Sequence, residues 1–108
     1  MKKEINVYYI LDKLGFVEMK YYLMLSENRE IIDFVLILFL IRDKTKIEIL
    51  KYDYSRKEKF HIHKNYLKIP KKEYFDCEIS LEEILKIKKE IQNNLGKYIM
   101  LYNQKEYI

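Results

Sequence analysis

The run Ile31-Ile32-Asp33-Phe34-Val35-Leu36-Ile37-Leu38-Phe39-Leu40-Ile41-Arg42 decides the fold. It is apolar at odd and even positions alike, apart from Asp33 inside it and Arg42 at its end. A helix that spans a bilayer needs about 20 apolar residues in succession, so this run is too short to cross one. A strand apolar on both faces belongs in the middle of a sheet, covered on both sides or set in a subunit interface.

Polar turns bracket the run: Ser26-Glu27-Asn28-Arg29 before it and Asp43-Lys44-Thr45-Lys46 after it. Ahead of the first turn, Val17, Met19, Tyr21, Leu23 and Leu25 alternate as one face of a strand. Behind the second, residues 47–52 form the next strand. A turn around Tyr54 to Glu58 then leads to a strand with Phe60 and Ile62 on one face and His61 and His63 on the other. The simplest arrangement is an antiparallel meander of four strands. Residues 5–14 read as a short N-terminal helix, because Val7, Ile10, Leu11 and Leu14 share a helical face, Asn6 suits the cap and Gly15 the end. Ile5, Val7 and Tyr9 alternate like a strand as well. Residues 67–78, with the one proline, Pro70, read as an irregular basic connection.

Ser80 opens a C-terminal helix, and Glu83 completes a capping box with it. Leu81, Ile84, Ile87, Ile91, Leu95, Tyr98 and Tyr102 follow one face. About 25 residues of helix measure about 37 Å, more than the width of a small sheet. The helix therefore bends near Gly96 or runs past the sheet to a partner. The expected fold is α+β: a four-stranded antiparallel meander, a long C-terminal helix on one face, and a short N-terminal helix. One helix leaves much of the other sheet face open, so a homodimer is expected.

A chain of 108 residues is enough for one domain, 1–108, with a modest core. With 49% hydrophobic residues, two Gly and one Pro, it is not a disordered chain. Alanine is absent and Lys, Ile and Tyr abound, which fits an AT-rich genome; the Lys and Glu content fits a thermophile. The single cysteine, Cys77, permits no intrachain disulfide and no cysteine-based zinc site. Met1-Lys2-Lys3 is followed by no long apolar region, since Asp12, Lys13 and Glu18 interrupt it. A cytoplasmic protein without a membrane partner is expected. The formal charge of +4 permits an anionic partner. From Arg56 to Lys72, seven basic residues face one acid, Glu58, and both histidines lie in that span.

Chemistry, if present, belongs to Lys51–Tyr66, KYDYSRKEKFHIHKNY. Residues two apart on a strand share a face, so His61 and His63 stand about 6–7 Å apart at their Cα atoms. Such a pair can cut RNA without metal, one imidazole taking the 2′-hydroxyl proton and the other protonating the leaving oxygen. Lys51, Arg56, Lys59 and Lys64 would hold phosphate, and Tyr52, Tyr54 and Tyr66 would stack on unpaired bases. The pair can also ligate a metal, with Asp53 as third ligand if its strand pairs with 59–64. It can equally be two histidines on a polar sheet face with no chemistry at all. The favoured reading needs no metal and no cofactor: His61 and His63 as acid and base, Asp53 orienting one ring, and Lys51, Tyr52, Arg56, Lys59, Lys64 and Tyr66 binding RNA. Cys77 reads as a structural thiol.

The order of these segments resembles the TumE-type toxins of prokaryotic toxin–antitoxin loci. Those chains carry Arg-Tyr-Asp, a short gap, a His-x-His pair and a C-terminal helix. Here Lys51-Tyr52-Asp53 stands for the first, His61-Ile62-His63 for the second, and Leu81-Glu82-Glu83-Ile84-Leu85 for the helix start. Ile91 to Leu95 and Tyr98 to Tyr102 resemble the helical tail, so the likeness spans about residues 20 to 102. Lys51 in place of Arg lacks the forked guanidinium that grips phosphate at two points. The resemblance implies growth inhibition through RNA and an antitoxin protein as partner. The alternative is a protein-binding module without turnover.

Overall fold

Period-two burial runs through the centre of the chain and builds one sheet. The computed structural model describes residues 3–10, 16–55, 57–76 and 78–106. Six strands, β1 (Lys3–Ile10), β2 (Val17–Leu25), β3 (Ile31–Arg42), β4 (Thr45–Ser55), β5 (Glu58–Lys64) and β6 (Lys71–Tyr74), pair antiparallel in chain order. Two helices follow, α1 (Leu81–Asn93) and α2 (Leu95–Glu106). The fold is α+β, and β3 lies in the middle of the sheet as its two apolar faces require.

The faces are unequal. Phe34, Leu36, Leu38 and Leu40 of β3 are buried in one core with Met19 and Tyr21 of β2, Leu50 and Tyr52 of β4, and Ile84, Ile87, Ile91 and Tyr98 of the helices. Each such side chain contributes about 1.5–3 kcal/mol by leaving water. The opposite face of β3 presents Val35, Ile37, Phe39 and Ile41, all half-buried. Both helices pack on the first face.

Three elements differ from the sequence reading. The N-terminal segment is not a helix. Residues 3–10 pair along the free edge of β2, from Lys3↔Leu25 to Ile10↔Glu18. Ile5 and Val7 pack on the core and the Tyr9 ring stacks on Tyr21 at 6.1 Å. Backbone pairing along a ready-made edge outweighs a marginal helical pattern; residues 11–14 of that expected helix lie outside the described residues. The connection 67–78 contains β6, so the meander has six strands and not four. Lys71-Lys72-Glu73-Tyr74 shows no apolar alternation, and an edge strand needs none. Finally, the long helix is two. It breaks at Asn94 (φ −115°, ψ 16°), whose backbone N–H still bonds to Glu90 O. After the break α2 returns over the sheet. Tyr98 is buried there, Arg42 donates to Asn103 Oδ1, and Lys105 Nζ donates to the carbonyl of Asn65 at 2.9 Å.

The Ser80 cap is where the pattern placed it: its Oγ accepts the Glu83 N–H at 3.2 Å. The β3–β4 turn is made by Asp43 and Lys44, both left-handed (φ 51° and 63°). Two consecutive left-handed residues match the right-handed twist of a hairpin.

Candidate functional site

The site is built by sheet register. Lys51↔His63 and Asp53↔His61 are cross-strand partners of β4 and β5, and β6 adds His63↔Lys72 and His61↔Tyr74. Alternation sends all six side chains to the face away from the helices. Irregularities in the β4 ladder flank the segment, one near Ile49 and one between Asp53 and Ser55. Bulges of this kind re-aim side chains and fix register.

His61 is the buried member, 1% exposed. Its ring lies 4.9 Å from that of His63 at 76° and 5.3 Å from that of Tyr74. Its Nδ1 is 2.8 Å from the carbonyl oxygen of Lys59. A carbonyl only accepts, so Nδ1 carries the hydrogen and the Nε2 lone pair faces outward from the strand. That Nε2 is 3.1 Å from Nε2 of His63 and 3.8 Å from Oδ2 of Asp53. The ligand-capable atoms of the three residues all lie within 4.8 Å of one another.

Charge surrounds the cluster. Lys51 Nζ is 3.9 Å from Asp53 Oδ2. Glu58 Oε1 accepts from Lys72 Nζ at 2.5 Å and from the Tyr74 hydroxyl at 2.7 Å, and lies 3.9 Å from His61 Nδ1. Those two hydrogen bonds hold the Glu58 carboxyl down at about 2, and the bonds of Lys72 to Glu58 and to Tyr74 push its ammonium up to about 12. The His63 imidazole is shifted the other way: burial, then the neighbouring His61, Lys51 and Lys72, lower its pKa and favour the neutral ring. Beside Asp53 and Lys51, across β3, an open depression of 310 Å³ is lined by Asn6, Lys20, Tyr22, Val35 and Ile37.

The expected residues therefore divide. Asp53, His61, His63 and Lys51 converge. Tyr52, Lys64 and Tyr66 face the helices instead: Tyr52 packs with Phe60 and Phe75, Lys64 pairs with Glu73 at 2.9 Å, and Tyr66 sits 4.9 Å from Tyr98. Period two separates Tyr52 from Lys51 and Asp53, and Lys64 from His63, so this division was readable. Lys59 is exposed at the start of β5 and offers its carbonyl to His61. Arg56 and Cys77 lie outside the described residues. Lys72, Tyr74 and Glu58 were missed, because the first two lie on a strand with no apolar signature and Glu58 touches the site only through them and His61. The Nε2 atoms of the two histidines face each other across 3.1 Å. No helix among the described residues is long and apolar enough to cross a membrane. Comparison of the chain with protein-family models, curated proteins and solved structures finds no match in any of the three.

Proposed function

We propose that this chain is a toxin-like protein that cleaves RNA at the Asp53–His61–His63 cluster. The observation that carries the reading is the convergence of these three side chains on the sheet face away from α1 and α2, with Lys51 and Lys72 beside them. The lysines supply positive charge for a phosphodiester, and the depression at Tyr22 is placed for an unpaired base. The order Lys51-Tyr52-Asp53, His61-Ile62-His63 and C-terminal helix, which resembles the TumE-type toxins, points the same way and adds an antitoxin protein as partner. His61 and His63, 3.1 Å apart at Nε2, carry the proton transfers, with the Asp53 carboxylate beside His61.

End-labelled single-stranded RNA tests this. His63→Ala and Asp53→Ala should each slow cleavage by about 100-fold or more. Lys51→Ala and Lys72→Ala should weaken binding and each lower the salt slope by about 0.7. Wild-type rates in both His63→Ala and Asp53→Ala would refute the assignment. One observation favours a second reading, a protein-binding module: the half-buried apolar strip Val35, Ile37, Phe39 and Ile41. A second copy of the chain is the occupant proposed for the strip, and a monomer by light scattering at high protein concentration would remove that homodimer; a module that holds an antitoxin or defence-associated protein instead predicts no turnover on any RNA.

A further inference from the structure

We propose that Asp53, His61 and His63 form a seat for one divalent first-row transition-metal ion, with at least one coordination position left open to water or substrate. The inference deepens the functional reading. It rests on that cluster being the working site, and it does not depend on RNA being the substrate.

Distance is the first argument. Imidazole nitrogens bind such ions at about 2.0–2.1 Å, so two of them on one ion stand about 2.9 Å apart at a right angle and about 3.3 Å apart at a tetrahedral angle. The Nε2 atoms of His61 and His63 are 3.1 Å apart, inside that interval. Asp53 Oδ2 is 3.8 Å from His61 Nε2 and the three ligand atoms span up to 4.8 Å, so the carboxylate has to swing in by an ångström or so, most of it toward His63. Its carboxylate is 28% exposed and can rotate to close the gap.

The second argument is the tautomer. The hydrogen bond from Nδ1 of His61 to the Lys59 carbonyl leaves the Nε2 lone pair aimed at the shared centre. Metal-binding histidines are oriented by this same device, the other ring nitrogen donating to a carbonyl or carboxylate. The third is rigidity. His61 and His63 share β5, an interior strand, and Asp53 is paired directly across from His61 on β4. The ligands are thus held by the ladder on both sides before any ion arrives.

Two imidazoles and one carboxylate favour zinc, cobalt, nickel or ferrous iron over magnesium or calcium, which take oxygen ligands. Three protein ligands with an open position are the arrangement of catalytic sites and not of closed structural ones. Lys51 opposes the ion, because its ammonium lies 3.9 Å from the carboxylate that must ligate. Once the carboxylate turns to the ion, that lysine is released to meet an anion on the open side.

The experiment is a titration of chelator-stripped protein with Co²⁺, followed by displacement with Zn²⁺ against a chromophoric chelator. Wild-type protein should take up one equivalent with visible absorption bands that Zn²⁺ abolishes. His63→Ala and Asp53→Ala, both at partly exposed positions, should lose at least about 100-fold in affinity, beyond the 10–100-fold that an outer-shell partner is worth. Their circular dichroism should stay that of the wild type. Lys51→Met should bind about fivefold more tightly, one repelling charge having been removed. Absence of a stoichiometric Co²⁺ spectrum in the wild type overturns the site, as does wild-type affinity in both ligand variants. RNA cleavage is assayed on the same samples. Ion uptake without cleavage upholds the metal site and removes the RNA reading. Cleavage by protein that takes up no ion overturns the metal site and keeps the RNA reading.

Discussion

Phe75 should matter more to the site than its position one residue beyond β6 suggests. Its ring lies 4.5 Å from that of Phe60 and 6.1 Å from that of Tyr52, and its N–H bonds to Phe60 O at 2.9 Å. Besides its backbone ladder to β5, β6 is tied by ion pairs such as Lys64–Glu73 and Lys72–Glu58, between partly exposed side chains. Exposed pairs contribute about 0–1 kcal/mol. Truncating a fully buried Phe to Ala costs about 3–5 kcal/mol. Phe75 is half-buried, so about 2 kcal/mol is expected for Phe75→Ala, including an aromatic pair worth about 0.5–1.5 kcal/mol. The urea midpoint should fall accordingly at unchanged m-value. Opening of β6 should become about 30-fold more frequent, since each 1.4 kcal/mol is a factor of ten, and Tyr74 and Lys72 would then uncover His61. Amide exchange by mass spectrometry reads this directly: residues 71–74 should speed up by that factor, and β1, at the far edge, much less. A loss below about 0.5 kcal/mol, or equal acceleration at both edges, would refute the reasoning.

Other outcomes follow from local features. Ser80→Ala should cost about 1 kcal/mol by chemical denaturation, because the Glu83 N–H loses its acceptor. Lys44→Gly should raise the melting temperature, stabilising by about 0.5–1 kcal/mol, since Lys44 holds φ 63° and Gly adopts that geometry without a Cβ clash. Alkaline pH should destabilise the fold. Burial raises the phenols of Tyr52 and Tyr98, the latter to about 12. Above pH 10 the unfolded chain loses these protons while the folded chain keeps them, so stability is intact below about 10 and is lost as pH rises through the folded values. The slope is at most about 1.4 kcal/mol per pH unit for each tyrosine. Tyr98→Phe should flatten the fall measured by urea denaturation between pH 9 and 12.

The centre of the fold was legible because burial enforces pattern. The run at 31–42 announces a middle strand, and β2, β4 and β5 follow from alternation and polar turns. The edges were not. β1 carries overlapping helical and extended signals, and only the free edge of β2 decides between them. β6 is held by backbone pairing and charge, neither of which leaves an apolar trace. Asn94 breaks the helix while the apolar stripe continues across it from Ile91 to Leu95 and Tyr98, so periodicity alone hides the break. At the site, the Asp53–His61 encounter followed from adjacent strands. The burial of His61 did not, since it depends on the unread β6 and its Tyr74.

The order of elements has a consequence for synthesis. Every strand pairs with its neighbour in the chain, so each hairpin can close as it is made, on a timescale of about 1–10 μs. The surface formed by Met19, Phe34, Leu36 and Leu38 is closed by α1 and α2, the last elements in the order. At about 5–20 residues per second, the chain from Tyr74 to Glu106 takes about 2–6 s to make. For that interval the ribosome carries a nearly complete sheet with its largest apolar face in water. The vulnerable species in the life of this protein is therefore the nascent sheet awaiting its helices, and chaperone demand should peak there.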